Sequence, residues 1–77
     1  MRSRDAREMD DDICQRFAKN VRRLRRANDI SQEAFADMVG VHRTYVSDIE
    51  RVKRNPSITV VGQFAKALGV TPGSLLD

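Results

Sequence analysis

The chain has 77 residues, a mass of 8.8 kDa and a net charge of +3, with 40% apolar and 32% charged residues. That length admits one small domain, which buries only about 60% of its unfolded surface and is stable by a narrow margin. No stretch approaches the ~20 consecutive apolar residues of a membrane span, and the start, MRSRDAREMDDD, has no apolar signal core, so the expected location is the cytoplasm.

Residues 1–9 are charged and poor in apolar anchors, and are expected to fray ahead of a domain over residues 10–77. The acids Asp10, Asp11 and Asp12 suit a helix N-terminus, and Ile13, Phe17, Val21 and Leu24 recur at helical spacing after them. A first helix is therefore predicted from about Asp11 to Ala27. Cys14 lies inside it; one cysteine makes no internal disulfide and, with one histidine, no zinc tetrad, so Cys14 reads as a half-buried packing residue and neither a metal nor a cofactor is expected. Asn28 and Asp29 break the helix, and Ile30 packs back. Ser31 can cap a second helix through Val39, although Ala34 stands where a full capping box needs Glu or Gln. Gly40 supplies the left-handed residue that turns the chain into a third helix, from near His42 to about Arg51. Asn55 and Pro56 stop that helix. Ser57 caps a fourth with Ile58, Val61, Ala65 and Leu68 on one face, and Gly62 in its middle suggests close approach of another backbone. Gly69 ends it, and Thr71 followed by Pro72 starts a last short helix with Leu75 and Leu76. Nothing alternates with period two, so the fold class is all-α, five short helices.

Charge is unevenly placed along these elements. Residues 16–54 hold ten Lys/Arg against five Asp/Glu, whereas 1–15 are net negative and 55–77 balanced. A basic zone of this kind is either the footprint of a polyanion or a solvated charged face. Within it, residues 41–55 read VHRTYVSDIERVKRN. At 100° per residue, His42, Val46, Ile49 and Glu50 fall on one side of the third helix, and Thr44, Ser47, Asp48 and Arg51 on the other, with Arg43 and Tyr45 on the flanks. A face selected for solubility alone would use better helix formers than Thr, Ser and Asp. Two helices joined by a Gly turn, the second polar outward, describe a helix-turn-helix or, more plainly, a helical hairpin with a polar exterior. A helix of about nine residues is roughly 13 Å long and fits a major groove about 12 Å wide. No nucleophile and base pair, metal spacing or Gly-rich phosphate loop points to an enzyme.

The run SQEAFADMVGVHRTYVSDIERVKRNPSITVVGQFAKALGVTPGSLLD resembles the Cro/CI-type helix-turn-helix of the lambda-repressor-like fold, the XRE family. The resemblance rests on SQE opening helix two, Gly40 in the turn, IER ending helix three, NPS before helix four, and AKALGV before TPGSLL; it covers about residues 13–76. Val52 stands where the pattern has Gly, which leaves the loop path there open. Within the family, RTYVSDIER with a basic loop ending in RN is similar to the controller proteins of restriction-modification systems, and also to stand-alone repressors.

The resemblance implies a sequence-specific, autoregulatory transcriptional regulator that binds double-stranded DNA. It implies a homodimer on an inverted repeat, with half-sites one turn, about 34 Å, apart. It also implies that Glu50 pairs with Arg25, that Arg43, Thr44, Ser47 and Asp48 face the bases, and that Gln32, Arg51, Lys53, Arg54 and Asn55 meet the phosphate backbone. Tyr45 is a phosphate or sugar contact or else partial core filler; His42 is a helix cap or a phosphate neighbour. Val70, Leu75 and Leu76 are candidates for the dimer surface or for core closure, and Arg2, Arg4 and Arg7 for a minor-groove arm or a loose tail. An antitoxin-like protein-interaction module on the same fold is the alternative function.

Overall fold

The computed structural model describes residues 6–77, with side chains from Ile13 onward. Four α-helices, α1 (Ala6–Ala27), α2 (Gln32–Val39), α3 (Arg43–Glu50) and α4 (Ile58–Leu68), are followed by a 3₁₀ turn at Gly73–Leu76. α1 begins at Ala6 instead of near Asp11, since Ala6, Arg7, Glu8 and Met9 include nothing that interrupts a helix. Expectations about residues 1–5, among them an arm carrying Arg2 and Arg4, lie outside the described residues, as does the side chain of Arg7. The fifth element is 3₁₀ and not α: Ser74 N–H donates to Thr71 O and Leu75 N–H to Pro72 O, the tighter three-residue closure of a short turn.

Side chains start three of the helices. Ser31 Oγ accepts from Ala34 N–H at 3.0 Å, His42 Nδ1 from Thr44 N–H at 3.3 Å, and Ser57 Oγ from Val60 N–H at 3.1 Å. All four α-helices end in one way, with a left-handed residue after the last turn and the next N–H bonding back five residues. These bonds are Ile30 N to Arg25 O, Val41 N to Ala36 O, Lys53 N to Asp48 O and Val70 N to Ala65 O, at 2.8 to 3.0 Å. The left-handed residues are Asp29, Gly40, Val52 and Gly69. Asp and Gly tolerate that conformation, but a β-branched residue at φ 58° is strained. After three of the four endings comes an aliphatic residue, Ile30, Val41 or Val70, that packs against the core; after the ending of α3 comes the exposed Lys53.

The core is organised around Phe64 of α4. It stacks on Phe17 of α1 at 5.7 Å and meets Phe35 of α2 edge-on at 4.9 Å, so one ring joins three helices. Val21, Val46, Ile49 and Leu75 complete the buried set. Arg16 Nε and Asn20 Nδ2 on α1 donate to the carbonyls of Leu76 and Leu75, at 2.9 and 3.0 Å, and tie the 3₁₀ turn to the first helix.

Three expectations need correction. Ile58 lies on the apolar side of α4 by angle but is 89% exposed, and Ile13 on α1 is 41% exposed. Both sit at positions along their helices that neighbouring elements do not cover. Gly62 has nothing near where a Cβ would stand, so no backbone packs closely there. Leu75 is wholly buried within its own chain and has no surface for a dimer contact; Val70 and Leu76 are partly buried against the core.

Val52→Gly should remove the left-handed strain and, net of the greater freedom of Gly in the unfolded chain, stabilise the fold by about 1 kcal/mol. Thermal unfolding followed by circular dichroism should then show a Tm raised by roughly 4–8 °C. An unchanged or lower Tm would mean that Val52 fits its site without strain.

Candidate nucleic-acid interface

α2 and α3 pack across the Gly40 turn, and α3 turns Val46, Ile49 and Glu50 inward. A carboxylate at the base of that helix is unfavourable to bury unless every lone pair is met. Arg25 Nε donates to Glu50 Oε2 at 2.7 Å and Arg25 Nη2 to Glu50 Oε1 at 3.0 Å, a two-pronged bond between side chains that are 8% and 1% exposed. Gln32 Nε2 donates to Oε1 at 3.1 Å, and Arg22 Nε stands 3.9 Å from the same oxygen. The third arm of Arg25, Nη1, donates to Ile30 O at 2.7 Å. Among the described residues no buried side-chain nitrogen or oxygen lacks a partner.

Burial by itself pushes the Glu50 carboxyl up, but the bonds from Arg25 and Gln32 and the charges of Arg25 and Arg22 outweigh it and hold the group below the usual range. The bond to Glu50 likewise keeps Arg25 more firmly protonated than a free guanidinium, against the opposing effect of burial. The carboxylate therefore joins α1, the start of α2 and the end of α3 in one charged knot.

With α3 held in this way, Arg43 and Thr44 are exposed and Ser47 and Asp48 half-exposed on its outer face. Arg51 Nη2 reaches Asp48 Oδ1 at 3.4 Å, so these two residues, expected at phosphate and base, pair with each other along the helix. His42 is exposed and serves as the N-cap of α3. Gln32, expected at the phosphates, is half-buried and commits its amide N–H to Glu50, a geometry that α2 imposes by starting beside the carboxylate. Lys53 and Arg54 are exposed on the loop after α3. Asn55 is exposed too, but its Oδ1 accepts from Cys14 Sγ at 2.9 Å, which fastens the loop to α1. Arg22 was not among the expected site residues, although its position three before Arg25 places both on one side of α1.

The arrangement can offer a duplex one polar helix face and an adjoining basic loop. The profile of the helix-turn-helix family matches residues 21–75. The chain is 47% identical over 62 residues to control protein C.BamHI of Bacillus amyloliquefaciens, across 79% of this chain and 76% of that protein. Among solved structures it is similar to the hypothetical transcription factor NHTF from Neisseria, with a TM-score of 0.82 and 37% identity, covering 84% of this chain and 75% of the other. It is also similar to the restriction-modification controller protein C.AhdI from Aeromonas hydrophila, with a TM-score of 0.77 and 37% identity, covering 80% of this chain and 94% of that one.

Glu50→Ala should leave Arg25 buried and unpaired and destabilise the fold by about 3 kcal/mol or more, seen as a large loss of Tm. The depressed carboxyl also gives acid sensitivity. The contribution of Glu50 is complete above the ordinary value of 4.5 and is lost as the pH falls from there through the lower folded value. Denaturant titrations between pH 6 and 3 should show that fall in the wild type, and a shallower one in Glu50→Gln. Equal slopes would remove Glu50 from the acid response.

Proposed function

We propose that this chain, which belongs to the helix-turn-helix family, is a sequence-specific transcriptional regulator of double-stranded DNA that acts as a homodimer and controls its own operon. The observation that carries the reading is the locked outer face of α3, with Arg43, Thr44, Ser47 and Asp48 presented beside the basic residues Lys53 and Arg54. Eight residues of helix span roughly 12 Å and match the width of a major groove. Arg43 can donate two bonds to a guanine edge, Thr44 can touch a thymine methyl, and Ser47 and Asp48 can sample neighbouring bases. The loop after α3 supplies sequence-independent attraction to phosphates. The likeness to proteins named as a control protein and a restriction-modification controller protein supports the same role here; the reading places the chain in the cytoplasm and assigns it no catalysis.

An apolar groove of about 320 Å³ between α1, the loop after α3 and the start of α4 supports a dimer surface there. Exposed Ile58 and Ile13 line it with Leu76, whereas Leu75 is spent in the core. A second copy seated there covers the most exposed large apolar side chain that the described residues present.

Selection from random duplexes at about 0.15 M salt should return an inverted repeat with half-site centres about 34 Å apart. Unselective binding alone would leave this reading without its specificity. Against the selected duplex, Arg43→Ala should cost roughly 1–3 kcal/mol and relax preference at one base pair per half-site. Lys53→Ala should weaken every duplex alike and reduce the salt slope by about one. Ile58→Lys should yield a folded monomer in sedimentation equilibrium, with affinity for the full repeat reduced toward that for a single half-site; a persisting dimer would place the interface elsewhere.

A further inference from the structure

Tyr45 faces two ways. Its ring meets that of Phe64 in a T-shaped contact, with centroids 6.5 Å apart and planes at 86°, so the aromatic of α3 is keyed to the ring that also holds Phe17 and Phe35. Over the same Tyr45 ring lies the guanidinium of Arg54, 4.9 Å from the centroid. Arg54 is exposed, and no ion pair to it forms among the described residues. The neighbouring Arg51, by contrast, is turned toward Asp48. Arg54 also sits on a loop that is tied down on either side of it, once by backbone and once by a side chain. Lys53 N–H bonds to Asp48 O at 2.8 Å, and Asn55 Oδ1 accepts from Cys14 Sγ.

An exposed Arg on a loop loses much rotamer freedom when a ligand orders it. A ring braced from the core that already carries the guanidinium removes part of that loss before the ligand arrives. We propose that Tyr45 is a positioning residue that acts through Arg54, holding its charge pre-oriented for a phosphate of the duplex. This rests on the DNA-binding reading above. The attraction comes from the face of the ring, so the role needs an aromatic ring and not the phenol hydroxyl. Tyr45 thus connects the packing of Phe64 to the placement of a loop cation, which neither a separate phosphate contact nor simple core filling would do.

The test uses the full chain and the duplex selected above, with wild type, Tyr45→Phe, Tyr45→Leu, Arg54→Ala and the Tyr45→Leu/Arg54→Ala pair. Without DNA, the side-chain protons of Arg54 should be shifted upfield by the ring current in NMR spectra of the wild type and Tyr45→Phe, and not in Tyr45→Leu. Tyrosine occurs only once and tryptophan is absent, so loss of the shift in Tyr45→Leu separates this ring from the three phenylalanines. With DNA at about 0.15 M salt, Tyr45→Phe should bind within about twofold of wild type, and Tyr45→Leu roughly 2- to 5-fold more weakly. Arg54→Ala should bind more weakly with a reduced salt slope, and adding Tyr45→Leu to it should weaken binding no further.

Equal damage from Tyr45→Leu with and without Arg54 would overturn the proposal, as would Tyr45→Phe losing as much as Tyr45→Leu. Should Tyr45→Leu not fold, the wild-type spectrum still decides, because an unshifted Arg54 refutes the pairing. A wild type that binds no duplex removes the DNA reading and this role with it. Binding without coupling removes the role of Tyr45 alone.

Discussion

The orientation of α3 depends on one buried carboxylate. Glu50 lies at the end of that helix with its side chain 1% exposed, and an unpaired charge there would not be tolerated. Its oxygens are met from α1 by Arg25 and from the start of α2 by Gln32, so only one rotation of α3 about its axis satisfies them. A buried ion pair of this kind is often no more stabilising than two apolar side chains of the same size. What it supplies here is direction. Val46 and Ile49 bury α3 on their side, while the Arg25–Glu50 bond sets which polar residues face away from the core.

The connections between helices follow from repeated use of one backbone device. A left-handed residue and a bond back over five residues close each helix in the space of two or three residues, which keeps α2 and α3 close enough to act as a unit. Gly40 and Gly69 adopt that conformation without strain, and Asp29 adopts it readily. Val52 does not, and it stands at the base of the loop that carries Lys53 and Arg54. Backbone strain of this kind persists only where the surrounding structure over-determines it. The loop is anchored on both sides of the two cations, by the backbone bond of Lys53 and by the contact of Asn55 with Cys14.

Much of the frame that carries the candidate site is legible in the sequence, and the parts that are not share a cause. Ser31, Ser57 and the two glycines act on their own neighbours within a few residues, so spacing alone located the helix ends. The inward turn of Val46 and Ile49 follows from a period of 3.6. The same angular argument failed for Ile58 and Ile13, because a period reports direction about a helix axis and not how far along that axis a neighbour reaches. It also passed over Phe64, although that ring lies three residues from Val61 on the same face and joins three helices. The resemblance implies a phosphate contact for Gln32; that one of its amide N–H groups also bonds Glu50, 18 residues away in sequence, is visible only in the fold.

By itself the sequence determined the all-α class, the order and approximate bounds of the helices, the outward polar face of the third, and, through its motif set, the family. These are local properties, set by backbone sterics, capping and periodicity within a few residues. Only the tertiary structure decided that Leu75 fills the core while Ile58 is left bare, that Asn55 fastens to Cys14, and that Arg54 lies over Tyr45. Each of those depends on where separate helices come to rest against one another, and that placement follows from packing around Phe64 and from the three-way bonding of Glu50, which no single segment contains.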